Sequence, residues 1–141
     1  MKPPLVTAIE IATNAHGEMI DKSGQPYLMH PLRVMMEQTT DAARMAGVLH
    51  DVVEDTEITL QDLRTAGIPE NSLAAIALLT HDDETPYDEY IEQLKPNSIA
   101  RSVKLADLRD NMNVLRLPGF TAKDLKRLKK YRRAYEFLFS E

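Results

Sequence analysis

The stretch Gly47-Val-Leu-His-Asp-Val-Val-Glu-Asp-Thr56 governs how the rest of the chain is read. It sets His50 and Asp51, two metal-ligand residue types, beside two further carboxylates, Glu54 and Asp55, with no Lys or Arg among them. Carboxylates framed by Val and Leu side chains each cost several kcal/mol unless a positive group compensates them. With no cation in the local sequence, a bound metal ion accounts for the cluster. Upstream, Ala42-Ala-Arg-Met-Ala-Gly-Val-Leu49 predicts a helix N-capped by Asp41 and running past His50. On such a helix His50 and Glu54 share one ridge and Asp51 and Asp55 the next, so all four point into one sector. The competing reading is a helix end with a capping His and solvated acids.

A chain of 141 residues holds one domain with a full core, 1–141, and is short for two. Charges recur throughout, so no apolar run long enough to span a membrane is present. The start, Met1-Lys-Pro-Pro-Leu5, lacks the apolar run of a signal peptide, and a cytoplasmic location is expected. There are no cysteines, which excludes disulfides, zinc ribbons and thiol nucleophiles and leaves His, Asp and Glu as the strong metal ligands.

Charge is uneven. Residues 1–120 carry 10 Lys and Arg against 19 Asp and Glu, whereas 121–141 carry 7 against 3. The basic run from Lys123 to Arg133 lies on one expected helix and reads as a solvated face offsetting the acidic body, rather than as a nucleic-acid interface. Tyr131, Tyr135, Phe137 and Phe139 read as the core-facing stripe of that helix.

Helical punctuation recurs and strand signals are scarce. Leu5 to about Ala15 has apolar residues at helical spacing and Gly17 as a stop. A turn-rich loop, Asp21-Lys-Ser-Gly-Gln-Pro-Tyr27, precedes a second helix opened by Pro31. Thr59, Thr85 and Thr121 each stand three residues before an acid, the pattern of a capping box. Helices are expected over about 69–79, 86–94, 98–115 and 122–138. The fold class is all-α, a helical bundle.

A metal needs more ligands than one His-Asp pair. Met29-His-Pro31 offers a histidine at the mouth of a helix, with a capping role as the alternative. In Val103-Lys-Leu-Ala-Asp-Leu-Arg-Asp-Asn-Met112, Lys104, Asp107 and Asn111 form a polar ridge beside the apolar Leu105, Leu108, Met112 and Leu115. Asp107 there needs a positive partner, either a metal or Lys104 in a plain ion pair.

The order His30, His50-Asp51, Asp107 resembles the signature of HD-domain metal-dependent phosphohydrolases. The loop Ala15-His-Gly17 to His30-Pro31, the His50-Asp51 motif and the Asp107 motif resemble the hydrolase domain of RelA/SpoT-type alarmone enzymes over about residues 8–117. The length suits the small stand-alone members of that group. The resemblance implies an HD-domain helical bundle and a Mn²⁺ (or other divalent ion) held by His30, His50, Asp51 and Asp107. It implies that Glu54 and Asp55 orient or deprotonate the attacking water. Lys22, Lys104 and Asn111 would surround a phosphorylated nucleotide, such as guanosine 3′,5′-bispyrophosphate cleaved at its 3′-pyrophosphate. The chain departs from the group at Asp21-Lys22, where a basic pair is usual, and at Asn113 and Val114, where Arg and Thr are favoured. Fewer cations imply weaker discrimination for the bispyrophosphate, with other nucleotide phosphate esters as alternatives.

Two other classes compete. A metal-containing module that binds a nucleotide without turnover has no need of Glu54 and Asp55. An interaction domain built on the basic helix would bind an acidic partner in a salt-sensitive, metal-independent way. His16 is expected to be packed rather than a ligand, and His81-Asp-Asp-Glu84 to be a solvated loop.

Overall fold

The computed structural model describes residues 1–141. Its helices are α1 (Pro4–His16), α2 (Met29–Met36), α3 (Asp41–Leu49), α4 (Val52–Asp55), α5 (Leu60–Thr65), α6 (Glu70–Leu79), α7 (Tyr87–Leu94), α8 (Ser98–Asn111) and α9 (Ala122–Phe139), with a 3-10 turn at Val114–Arg116. The one β feature is an isolated bridge between Ile20 and Pro26. The fold is all-α, and no helix is long and apolar enough to cross a membrane.

α3 is the central element. It packs against α1, α2, α6 and α8, and Met45, Ala46, Gly47, Val48 and Leu49 are all buried. Its second half, Met45 to Leu49, is covered on every side and is apolar throughout, while Asp41 and Arg44 pair in solvent at its start. Gly47 permits the closest of these contacts, since a Cβ there would lie 3.3 Å from Met35 Cα on α2. The close approach brings the start of α2 and the end of α3 together, and α8 packs against both.

α3 does not run past His50. It ends at Leu49 and a one-turn α4 follows, with Asp51 (φ −100°, ψ −7°) at its N-cap. The cause is a side chain competing with the backbone. His50 Nδ1 donates to Gly47 O at 2.6 Å, the acceptor that the Asp51 amide would use in a continued helix. The true N-cap of α3 is Thr40, whose hydroxyl accepts from Ala43 N; Asp41 is the first helical residue.

The capping boxes at Thr59 and Thr121 form, but Thr85 caps nothing. The Thr85 amide closes a turn on Asp82 O, and Pro86 stands at the N-cap of α7. α2 starts at Met29, two residues before Pro31, because a proline within the first turn lacks only an N–H that would have no partner there. α8 stops at Asn111, which leaves Leu115 on the 3-10 turn and 92% exposed instead of on an apolar helix face. On α9 the buried residues are Ala134 and Leu138, with Tyr131 and Tyr135 half-buried beside them. Phe137 and Phe139 face outward, and Lys95 Nζ sits 4.4 Å above the Phe137 ring.

The central place of α3 sets a stability prediction. Leu49 is fully buried and Leu125 on α9 is exposed. Leu49→Ala should lower the unfolding free energy by about 2–5 kcal/mol, and Leu125→Ala by less than about 1 kcal/mol. Urea midpoints with unchanged slopes would measure this, and equal losses would refute the central role of α3.

Candidate metal centre and its cavity

Three helices that pack pairwise deliver the centre. α2 supplies His30 from its first turn, His50-Asp51 follow the end of α3, and α8 supplies Asp107. In a straight helix adjacent side chains diverge by about 100°. The break after Leu49 lets neighbours His50 and Asp51 turn inward together. His50 Nε2 lies 3.1 Å from Asp51 Oδ2 and 3.4 Å from Asp107 Oδ1. His30 Nε2 lies 2.9 Å from Asp107 Oδ1 and 3.8 Å from Asp51 Oδ2. His30, His50 and Asp107 are buried, with Asp51 half-buried beside them.

The hydrogen bonds at the far side of each ring test the fit to a cation. His50 Nδ1 meets a backbone carbonyl, which can only accept, so it carries the proton. His30 Nδ1 meets Asp110 Oδ2 at 2.6 Å, and that carboxylate is also bonded by Arg33 and Arg116. A neutral ring in either place would therefore turn its Nε2 lone pair toward carboxylate oxygens, and buried His50 Nε2 has no hydrogen-bond partner. Lone pairs facing lone pairs repel unless positive charge lies between them. Burial pushes the His50 pKa down, yet Asp51 and Asp107 hold it well above its ordinary value, which expresses the same demand for a cation. Ligand atoms about 2.1 Å from one ion stand roughly 3.0–3.4 Å apart, close to the spacings seen here. The residues fit a divalent ion. Two imidazoles and two carboxylates do not single out one metal.

Each candidate ligand is itself held. Asp107 accepts from Lys104 Nζ at 2.9 Å and from Asn111 Nδ2 at 3.0 Å, three residues before it and four after on α8. Burial disfavours charge on both Lys104 and Asp107, but each keeps the other ionised. Lys104 Nζ also lies 5.2 Å from the Tyr90 ring centre. The plain ion pair that competed with a metal for Asp107 thus exists beside the centre: Lys104 takes Asp107 Oδ2, while Oδ1 faces both histidines. The Tyr27 hydroxyl donates to Asp51 Oδ2. These contacts orient ligands in the way that hydrogen bonds behind a metal site do.

Glu54 and Asp55 diverge. Glu54 is exposed, and its Oε1 accepts from the His81 amide at 2.6 Å, so the expected common ridge with His50 is not formed. Asp55 stays within electrostatic reach of the centre. Partial burial, then Asp51 and Glu54, push its carboxyl pKa up to about 6. His16 is fully buried, edge-on to Tyr27 with ring centres 5.1 Å apart. In the 81–84 loop, His81 stacks on Tyr90 and bonds Thr85 O, while the acids after it are exposed.

A cavity of about 340 Å³ opens beside the centre, with Tyr27 and His30 at its inner end. Lys22, Arg33, Asn111, Arg116, Arg127 and Tyr131 line it. Of the residues expected around a substrate, Lys22 and Asn111 line the cavity and Lys104 does not. Arg127 leaves the otherwise solvated basic face of α9 and pairs with Asp124 at its edge. The sequence reading missed Tyr27, Arg33, Asp110, Arg116 and Arg127. A signal existed for two of them, since Arg33 and Asp110 each follow a ligand, His30 and Asp107, by three residues on the same helix.

No family model matches the chain. A GTP pyrophosphokinase of Streptomyces coelicolor is 34% identical over 149 aligned positions, which cover 93% of this chain and 16% of the relative. A probable guanosine-3′,5′-bis(diphosphate) 3′-pyrophosphohydrolase of Mycoplasma pneumoniae is 38% identical over 63 positions, 42% of this chain and 9% of the relative. The bifunctional (p)ppGpp synthase/hydrolase SpoT of Escherichia coli is 42% identical over 57 positions, 38% of this chain and 8% of the relative. The chain thus spans less than a fifth of these curated relatives. Among solved structures, a metazoan SpoT ortholog described as hydrolysing ppGpp superposes with a TM-score of 0.79 at 22% identity, over 99% of this chain and 88% of that one. That likeness shows the fold. The homology along nearly the whole chain places the protein among the RelA/SpoT-type HD-domain proteins, as the counterpart of one segment of the long bacterial members.

Proposed function

We propose that the chain is a divalent-metal-dependent pyrophosphohydrolase acting on guanosine 3′,5′-bispyrophosphate or a closely related 3′-phosphorylated nucleotide, in the cytoplasm, with Mn²⁺ as the working ion. The observation that carries this is the convergence of His30, His50, Asp51 and Asp107 on one another, with His30 also lining a cavity that holds Lys22, Arg33, Arg116 and Arg127. The size of the cavity suits a small ligand. Relatives that share the segment are named for this hydrolysis.

His30, His50, Asp51 and Asp107 would hold the ion. When bound, it supplies Lewis acidity at a phosphoryl oxygen and lowers the pKa of water. The rest falls to the chain's own residues. Lys104 and Asn111 fix the Asp107 carboxylate, and Tyr27 fixes that of Asp51. Asp55, largely ionised above about pH 6, and Glu54 are the carboxylates that accept the water's proton as it attacks phosphorus. The bond from phosphorus to the ribose 3′ oxygen breaks and pyrophosphate departs. Arg33, Arg116, Arg127 and Lys22 face the phosphates in the cavity. Asp55, near enough to Asp51, His50 and His30 to feel their charge, favours this reading over a module that only binds a nucleotide.

Three outcomes check the proposal. Wild-type protein should melt higher with Mn²⁺, by the equivalent of about 2.7 kcal/mol at a hundredfold excess over its dissociation constant. Asp51→Ala and Asp107→Ala should lose that gain, and equal metal content by elemental analysis in all three proteins would defeat the ligand assignment. Glu54→Gln should retain its metal while turnover drops about 10²-fold or more; loss of the metal along with activity would make Glu54 a ligand instead. The third outcome concerns the substrate. Arg33 and Arg116 are paired with Asp110 and Arg127 with Asp124, which leaves Lys22 as the cavity cation without a carboxylate partner. In a Mn²⁺-supplemented panel of 3′- and 2′-phosphorylated nucleotides, Lys22→Ala should lower kcat/KM for the bispyrophosphate about tenfold or more. A strong preference for that nucleotide left unchanged by Lys22→Ala would exclude this role for Lys22.

A further inference from the structure

Asp110 is one turn beyond Asp107 on α8 and only 8% of its side chain is exposed, yet it stands behind the metal centre rather than in it. Both of its oxygens are used. Oδ2 accepts from His30 Nδ1 at 2.6 Å and from Arg33 NH2 at 3.0 Å. Oδ1 accepts from Arg33 Nε at 2.7 Å and from Arg116 NH1 at 3.0 Å. Arg116 NH2 adds a bond to the Asp110 carbonyl at 2.6 Å, one of the last carbonyls of α8, which have no partner within the helix. His30 and Arg33 are three residues apart on α2, so one ridge of that helix presents both to the same carboxylate.

The two histidines are therefore held in different ways. His50 is fixed by its own helix through Gly47 O, a contact that touches nothing in the cavity. His30 is fixed by a carboxylate that also aims two guanidinium groups of the cavity wall. We propose that Asp110 is a positioning residue that ties the metal ligand His30 to the anion-binding arginines Arg33 and Arg116. Metal affinity and phosphate affinity then share a single support. This rests on the metal reading above and extends it to a residue of the cavity wall that is not a metal ligand.

The test uses the full chain with Mn²⁺ alone and with inorganic pyrophosphate as the anion probe, each followed by titration calorimetry. Asp110→Asn keeps the side chain's shape but puts an NH₂ donor where the network needs an acceptor. It should raise the Mn²⁺ dissociation constant about ten- to a hundredfold. At saturating Mn²⁺ it should weaken pyrophosphate binding at least fivefold. Arg116→Gln leaves the His30–Asp110 bond in place, so it should weaken pyrophosphate binding while the Mn²⁺ constant stays within about threefold of wild type. A purely structural role would lower the melting temperature of the metal-free variants and leave both constants unchanged, and that result overturns the proposal. It is also overturned if Asp110→Asn alters one affinity alone. Should Asp110→Asn fail to fold, Arg116→Gln still decides, because unchanged pyrophosphate binding or a large change in Mn²⁺ affinity refutes the division of labour. Wild-type protein that binds no Mn²⁺ would instead refute the metal reading itself.

Discussion

Two imidazole lone pairs turned toward two carboxylates, in a place largely closed to water, are the constraint on which the rest of this structure depends. With neutral rings the arrangement is unfavourable, because buried lone pairs with no positive charge between them repel, and a proton or a metal ion must supply that charge. It persists because each participant is fastened from behind: His50 by Gly47 O, His30 by Asp110, Asp51 by Tyr27, and Asp107 by Lys104 and Asn111. Those fastenings come from α3, α8 and the loop before α2, and α2 carries His30 itself. The mutual packing of the three helices is thus the geometric condition for the centre. Gly47 shows how closely packing and chemistry are joined. Its missing side chain admits α2, and its carbonyl orients His50 and ends α3.

How much of this was legible in the sequence depended on whether the signal was local. The all-α class, the positions of most helices and the capping boxes at Thr59 and Thr121 follow from periodicity and nearest neighbours, and they are found in the structure. Three of the residues read as ligands, His30, His50 and Asp107, come within reach of one ion, with Asp51 Oδ2 3.1 Å from His50 Nε2, since His and Asp in apolar frames stand out against their surroundings. What was hidden came from competition between groups. Continuing α3 through His50 is what propensity favours, and a single side-chain bond to Gly47 O overrides it. Glu54 left its expected ridge because the His81 amide, 27 residues away, had no other visible claim on it in the sequence. The outward turn of Phe137 and Phe139 reflects a burial stripe set by Ala134 and Leu138, whose small and medium side chains gave a weaker signal than the aromatics.

The cavity raises a question of charge. A site for a multiply phosphorylated nucleotide gains from positive potential, yet Asp110 and Asp124 pair with three of its arginines. Pairing lowers the net field and so reduces long-range steering. It also fixes direction, which a free guanidinium on a flexible stem lacks. An Arg has five N–H donors. Arg33 gives Asp110 its Nε and NH2, Arg116 gives its NH1 and NH2, and Arg127 gives Asp124 its NH2. Every one of the three keeps further donors for a phosphate oxygen. A lysine in the same place, with one ammonium on a flexible stem, could not be both anchored and presented in a fixed plane. The carboxylates therefore convert diffuse attraction into preset hydrogen-bond directions, which is the form of electrostatic assistance that survives in a small, partly dry cavity. Lys22, exposed on the loop that lines the cavity, is the complementary case: a positive charge with no carboxylate partner.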